Sequence, residues 1–320
     1  MRRGGTPRVG LIGYCVGVLR YRLLLGPILI AGIVFGSWFD QWLDMQSAGA
    51  WFVELTGRET WPPGMVVFPI VSLLAVFGAL ELKLIFGAAD IAVSRRVVVT
   101  LVLLGLATTA FVPESLSGVT GAALMNSLVT VVLVGALVFH SRKRQVDGAI
   151  AAAGGALVAL VLLGMMFGFL LLIRREHSAW IFLWVLVTTK SSDIGAYFVG
   201  RAIGRHKLIP WLSPGKTWEG LFGGMGFAGV VGGVGVLIVG TVVEAGVPGV
   251  WLGVLMGVVF AGVGQVGDLV MSLLKRDAGV KDAGKSLPGF GGVLDVLDSV
   301  LLVAPVAFWM LRLVVNGSHG

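Results

Sequence analysis

Three aspartates late in the chain, Asp268, Asp295 and Asp298, occupy positions where a charged side chain is costly. Each lies in or at the mouth of an apolar run, and a charge at the centre of a membrane helix costs roughly 3 kcal/mol on insertion scales, less near the interface. Asp295 and Asp298 are three apart and share one helical face. Asp268, Ser272 and Lys275, at i, i+4 and i+7, share another. Three acids on two adjoining helices, with no lysine inside the same spans, repel one another unless something positive lies between them. A divalent cation answers that need, and few protein oxygen ligands suit magnesium (Mg2+) that also holds substrate phosphates. Alone, each acid has a plainer explanation: Asp295 as a helix N-cap, Asp268 as a partner of Lys275 or Arg276. Taken together beside Lys275, Arg276 and the Lys281-Asp282 pair, they form the pattern that phosphoryl or nucleotidyl transfer needs. Carboxylates hold a metal, cations stabilise charge on the leaving group, and no protein nucleophile is required.

A second charged stretch, 189–220, contains Lys190, Asp193, Tyr197 and the run Ser213-Pro-Gly-Lys216-Thr217-Trp-Glu-Gly220. The run looks like the tail of a phosphate-binding P-loop but has Pro210 where that pattern needs its first glycine. Its physics predicts a turn set by Pro214 and Gly215 just before a helix, offering backbone N–H groups, an ammonium and a hydroxyl to an anion. The simpler alternative is a loop cap with a snorkelling lysine. Gly224 to Gly229 fits a GxGxxG string, yet it lies inside an apolar span with no strand before it, which predicts close helix packing. The four histidines, at 140, 177, 206 and 319, are scattered and predict no metal cluster.

The elements that must position these residues follow from composition. Of 320 residues 57% are apolar and 13% charged, with mean hydropathy +0.95; a soluble globule carries about twice that charge. Forty-nine glycines are tolerated in membrane helices and poorly in soluble ones. Soluble, disordered and fibrous classes are excluded. Cys15 is the single cysteine, which excludes an internal disulfide framework, a multi-cysteine zinc site and iron–sulfur ligation. The net charge, 24 − 17 = +7, reads as positive cytoplasmic loops and contact with anionic lipid, with no nucleic-acid partner expected.

The expected fold is therefore all-α, a polytopic integral membrane helix bundle of about nine transmembrane helices at roughly 20 residues each. The spans fall at 23–39, 65–86, 97–113, 121–139, 149–173, 179–200, 220–243, 248–274 and 292–315. Residues 1–180 form an N-terminal transmembrane scaffold, and 181–320 a C-terminal catalytic region with cytoplasmic motif loops. An N-terminus placed inside, with Arg2, Arg3, Arg8, Arg20 and Arg22, puts Arg95-Arg96, Arg142 to Arg144, Lys190 to Lys216 and Lys275 to Lys285 on the same side. Arg174-Arg175 is the exception. The outer loop 40–64, with Asp40, Asp44 and three tryptophans, reads as interfacial. The basic start lacks a small-residue cleavage site, so the first helix is expected to be retained. Glu81 and Lys83 are the only charges well inside a helix before residue 180.

Ser272-x-x-Lys275-Arg276-x4-Lys281-Asp282, running on to Pro288-x-x-Gly291-Gly292-x-x-Asp295-x-x-Asp298, closely resembles the signature of phosphatidate cytidylyltransferases, the CDP-diacylglycerol synthases of phospholipid biosynthesis. Ser192-Asp193-x-Gly195-Ala196-Tyr197 and the Ser213 to Gly220 run also look like that family's. The resemblance covers roughly 188–300 in three blocks. It implies a membrane nucleotidyltransferase that joins CTP and phosphatidate, releasing pyrophosphate. It also implies that Asp268, Asp295 and Asp298 bind magnesium, and that Lys216, Lys275, Arg276 and Lys281 meet phosphates. By the same resemblance Ser213 and Thr217 position the nucleotide, and Asp193 and Asp282 orient cations or bind metal. Two positions depart from the family: Phe290 stands where it usually has His, and Val296 where it has Arg. Lys285 is a candidate replacement cation.

The expected partners are CTP, phosphatidate and the bilayer, with a homodimer left open; the membrane is the plasma (inner) membrane if the source is bacterial. A lipid kinase, or a nucleotidyltransferase for another lipid phosphate, is the alternative on the same residues. An ion-coupled transporter would need a second set of broken, charged helices in the first half, and the sequence has none.

Overall fold

The computed structural model describes residues 9–111, 118–142, 146–243, 246–284, 286, 287, 289 and 291–317, with side chains between 26 and 314. Arg2, Arg3, Arg8, Lys143, Arg144, Lys285, Pro288, Phe290 and His319 lie outside the described residues.

Apolar runs become helices because only a helix or a closed barrel satisfies every backbone polar group within lipid. In chain order these are α1 (Val9–Asp44), α2 (Ala50–Thr56), α3 (Val67–Ala88), α4 (Arg95–Ala110) and α5 (Gly118–Ser141). A continuous rod follows, made of α6 (Ala149–Leu157), a π-helical segment (Val158–Met165) and α7 (Met166–Glu176). The C-terminal part comprises α8 (Ala179–Ile203), α9 (Trp218–Val239), α10 (Val250–Asp277) and α11 (Val293–Gly317). Caps mark several starts: the Ser94 and Ser178 hydroxyls accept from Val97 N and Ile181 N, both at 3.3 Å.

Each of the nine expected spans overlaps a helix among the described residues. Among the described residues six helical stretches are long and apolar enough to cross a bilayer: α3, α5, the α6–α7 rod, α9, α10 and α11. Two of the other three fall short for physical reasons. α4 has 16 residues, about 24 Å at 1.5 Å per residue. α8 carries Lys190, Asp193 and Arg201 from its middle onward. Of α1, only the part from residue 26 has described side chains, and that part ends on Asp40, Gln41 and Asp44. A two-stranded antiparallel hairpin, β1 (Lys207–Ile209) with β2 (Ser213–Thr217), interrupts the helices.

One buried cluster runs through both halves, from Val67 and Phe167 to Phe260 and Leu311. Small residues bring the rods together. A Cβ on Gly224 would fall 2.8 Å from the Ser192 carbonyl oxygen of α8, so this glycine string is a packing seam, as the sequence predicted. On α10, a Cβ on Gly267 would meet the Asp298 carbonyl of α11 at 2.6 Å. That approach sets Asp268 against Asp298.

The opposite end corrects the sequence reading of Arg174, Asp40 and Asp44. α1 continues through Asp44, and Asp40 is a buried ligand of protein groups rather than an interfacial acid. Arg174, 1% exposed, pairs with Asp40 through Nε and with Asp44 through Nη2, and its Nη1 donates to the His177 carbonyl at 3.1 Å. Asp40 also accepts from Val66 N at 2.6 Å, Val67 N at 3.2 Å and Gly64 N at 3.2 Å. It thereby holds the start of α3. The arginine that offended the positive-inside count is a buried fastener between α1 and α7.

Candidate active site

Four elements converge at one end of the C-terminal bundle: the middle of α8, strand β2, the last turns of α10 and the first turns of α11. The sequence stretch expected as a turn before a helix is extended instead. Ser213 pairs with Ile209 and Thr217 with Lys207, and the reversal occurs upstream, where Leu212 N donates to Ile209 O at 3.2 Å. Pro210 ends β1, which explains why the turn precedes Pro214. Thr217 closes the strand as N-cap of α9, its hydroxyl accepting from Gly220 N at 3.1 Å. Lys216 is thereby aimed across at α10, where its Nζ lies 2.6 Å from Asp268 Oδ2.

The charged groups alternate in sign. Asp268 accepts from the Ser272 hydroxyl at 3.3 Å and feels Lys275 as well as Lys216. Lys275 Nζ is 2.7 Å from Asp295 Oδ1. On the other side Asp268 and Asp298 are close enough to interact directly, and Lys190 Nζ lies 3.8 Å from Asp298 Oδ1. The same ammonium reaches Asp193 Oδ2 at 2.9 Å and the Ser299 hydroxyl at 2.7 Å. Lysines thus neutralise carboxylates that would otherwise repel across a partly buried space.

The three expected metal ligands do not meet at one point. Asp295 Oδ2 accepts from Ala283 N and Gly292 N, both at 2.9 Å, so it organises the α10–α11 connection and holds Lys275. Among the described residues no group of three or more His, Cys, Asp and Glu side chains is arranged for a metal ion. Asp268 and Asp298 remain as a facing pair. A pair suits an octahedral hard cation that takes its other oxygens from substrate phosphates and water. Arg276 turns to the Val280 carbonyl at 3.0 Å, and Lys281 and Asp282 are exposed on the connecting segment.

A profile of the Cytidylyltransferase family matches residues 48–314. The chain belongs to the cytidylyltransferase family. A phosphatidate cytidylyltransferase of Mycobacterium bovis is 40% identical over 147 residues, 46% of this chain and 46% of the relative. One from Mycobacterium leprae is 35% identical over 201 residues (59% and 62%), and one from Bacillus subtilis 39% over 158 (49% and 57%). The matched stretch therefore spans about half of the length of these curated relatives.

Within this cytidylyltransferase-family site the geometry adds residues that motif reading passed over. Glu81, from α3, is 2% exposed; its Oε1 accepts from Val293 N at 2.8 Å and its Oε2 from Leu294 N at 2.9 Å. It caps the helix that carries Asp295 and Asp298 from a position 212 residues upstream of Val293. The signal was visible as an acid in the middle of an apolar span, but its partner was not. Lys190 is the second addition, because it bridges Asp193, Asp298 and Ser299.

Proposed function

We propose that this protein is a phosphatidate cytidylyltransferase of a bacterial plasma (inner) membrane, with Asp268 and Asp298 holding magnesium. The observation that carries the reading is the facing Asp268–Asp298 pair between Lys216 and Lys190, at one end of a membrane bundle from the cytidylyltransferase family. Family membership makes cytidylyl transfer the chemistry, and the apolar helices make a lipid acceptor reasonable. Residues 1–180 serve as scaffold and 181–320 carry the reaction. α1, α4 and α8 complete nine spans, with the N-terminus and motif loops cytoplasmic. A homodimer through α5, most of whose apolar window is exposed within the protomer, belongs to the same proposal.

In this mechanism a phosphatidate phosphate oxygen attacks the α-phosphorus of CTP. The bond to pyrophosphate breaks, leaving CDP-diacylglycerol. Bound magnesium supplies charge neutralisation on the phosphate oxygens. Asp268 and Asp298 would hold the metal, and Lys216 and Lys190, which pair with them here, would then be placed to meet the nucleotide phosphates. Lys275, aligned by Asp295, faces the developing charge of the leaving group, with Arg276 and Lys281 beside it. Thr217 fixes the strand that presents Lys216, with Ser213 at its start; Asp193 steadies Lys190, and Asp282 stands beside Lys281.

The test is purified protein in detergent with radiolabelled CTP, phosphatidate and magnesium. A CTP-dependent lipid product that disappears on chelation is expected. Product with a different lipid phosphate and none with phosphatidate would replace this reading by a related lipid nucleotidyltransferase.

A further inference from the structure

Beside the carboxylate pair lies a cavity of about 240 Å³ roofed by Gly215, Lys216 and Thr217 of β2 and walled by α8, α9 and α10. Its lining side chains include Asp193, an acceptor that a phosphate would not meet, beside Tyr197 and Gln265. Gln265 is one helical turn before Asp268 on the same face. Its amide Nε2 is buried and without a hydrogen-bond partner among the described residues. A buried donor left unmade is expensive, by about 1–3 kcal/mol, so its position in a cavity wall points to an acceptor brought by a ligand. Tyr197 is 57% exposed; its hydroxyl accepts from Arg201 Nη1 at 2.7 Å, the guanidinium lies 6.0 Å from the ring centroid, and the ring lines the cavity. Asp193, anchored to Lys190 through Oδ2, keeps 49% of its side chain exposed and faces the same space as an acceptor.

We propose that this cavity is the nucleobase subsite and that Gln265 and Asp193 read the cytosine edge over the Tyr197 ring. The inference rests on the reading above that CTP is the nucleotide. A phosphate has only acceptor oxygens and would be repelled by Asp193. Cytosine carries both kinds of group: its exocyclic amine donates to the Asp193 carboxylate, and its O2 accepts from Gln265 Nε2. Aromatic stacking suits any base and adds affinity without choice; the choice comes from the edge. Uracil would turn a carbonyl oxygen toward Asp193, an unpaired acceptor against a carboxylate. The cavity lies just below the ~300 Å³ at which pockets for whole drug-sized ligands begin. That is room for one ring, with the phosphates at the edge of the cavity formed by Lys216 and Asp268.

The experiment measures binding by equilibrium dialysis and turnover with phosphatidate on the full-length protein. The probes are CTP, UTP and the CTP analogue lacking the exocyclic amine, with wild type, Asp193→Asn and Gln265→Leu. Wild type should favour CTP over UTP and over the analogue by at least about tenfold, one hydrogen bond's worth. Asp193→Asn, whose amide donates to a carbonyl, should shrink the CTP-over-UTP ratio about tenfold. Gln265→Leu should raise the KM for CTP about tenfold with kcat changed less than about threefold. Equal binding of CTP and analogue by wild type, or ratios and KM unchanged in the folded variants, would overturn the proposal. If a variant does not fold, the wild-type analogue comparison decides. Selective CTP binding without any lipid product would sink the assigned activity and leave the base subsite standing.

Discussion

At the level of single residues, the structure separates acids that spacing alone makes equivalent. Asp295 and Asp298 are one turn apart, and both sit where a helix begins. Asp295 is spent on two loop amides and Lys275, whereas Asp298 faces Asp268 with Lys190 as its nearest cation. Substitution should therefore split them. Asp268→Asn and Asp298→Asn keep shape but remove charge, and are expected to lower cytidylyl transfer by at least about a hundredfold while the melting temperature stays near wild type. Asp295→Asn weakens three accepted contacts and should lower both activity and thermal stability. Thermal melting in detergent alongside the transfer assay distinguishes these outcomes, and equal melting shifts in all three variants would contradict the division. The sequence located every one of these acids and their shared end of the bundle. It could not assign them, because an i, i+3 spacing is common to caps and ligands, and the competing amides of Ala283 and Gly292 come from an irregular segment.

Between elements, long-range contacts do what motifs do not disclose. Glu81 ties α3 to the first turn of α11, and Gln at that position would oppose one N–H with another. Glu81→Gln should cost about 1–2 kcal/mol, the upper range for losing a helix cap, and lower kcat more than it raises the KM for CTP, since α11 orients Asp298. Steady-state kinetics on the folded variant checks this; a pure stability loss with unchanged kcat would make Glu81 a structural cap alone. Arg174 gives the contrasting case. Removing one partner of a buried ion group leaves uncompensated charge, so Arg174→Met should destabilise by about 3–5 kcal/mol with the specific activity of the folded fraction unchanged. The neighbouring His177 adds a pH signature. Burial pushes its imidazole below the ordinary value, so the folded state favours the neutral ring. Well above pH 6.5 both states are neutral. As pH falls below that, the unfolded chain takes up the proton first, and stability declines. His177→Phe should flatten that acidic limb of the melting-temperature profile.

For the molecule as a whole, the proposed orientation of the bundle rests on where its cations lie. Placing α8, α10 and the α10–α11 segment with their charged ends inward gathers Lys207, Lys216, Lys275 and Lys281 on one side. The two apparent offenders on the other side are accounted for differently. Arg174 is neutralised internally by Asp40 and Asp44, and Arg175 Nη1 donates to the Ala110 carbonyl at 3.0 Å. Loop counting weighs an arginine by its place in the sequence and is blind to a carboxylate 134 residues away, so apolar run lengths disclosed the helices while the outer ion group stayed hidden. Orientation has a direct test because Cys15 is the only cysteine. In a Cys15→Ser background, Lys281→Cys and Arg58→Cys place single thiols on exposed positions at opposite ends. A membrane-impermeant maleimide should label the first only in inverted vesicles and the second only in right-side-out vesicles. The reverse pattern would put the carboxylate pair on the face away from cytoplasmic nucleotide, and no arrangement of lysines around Asp268 and Asp298 would then let the protein draw CTP from inside the cell.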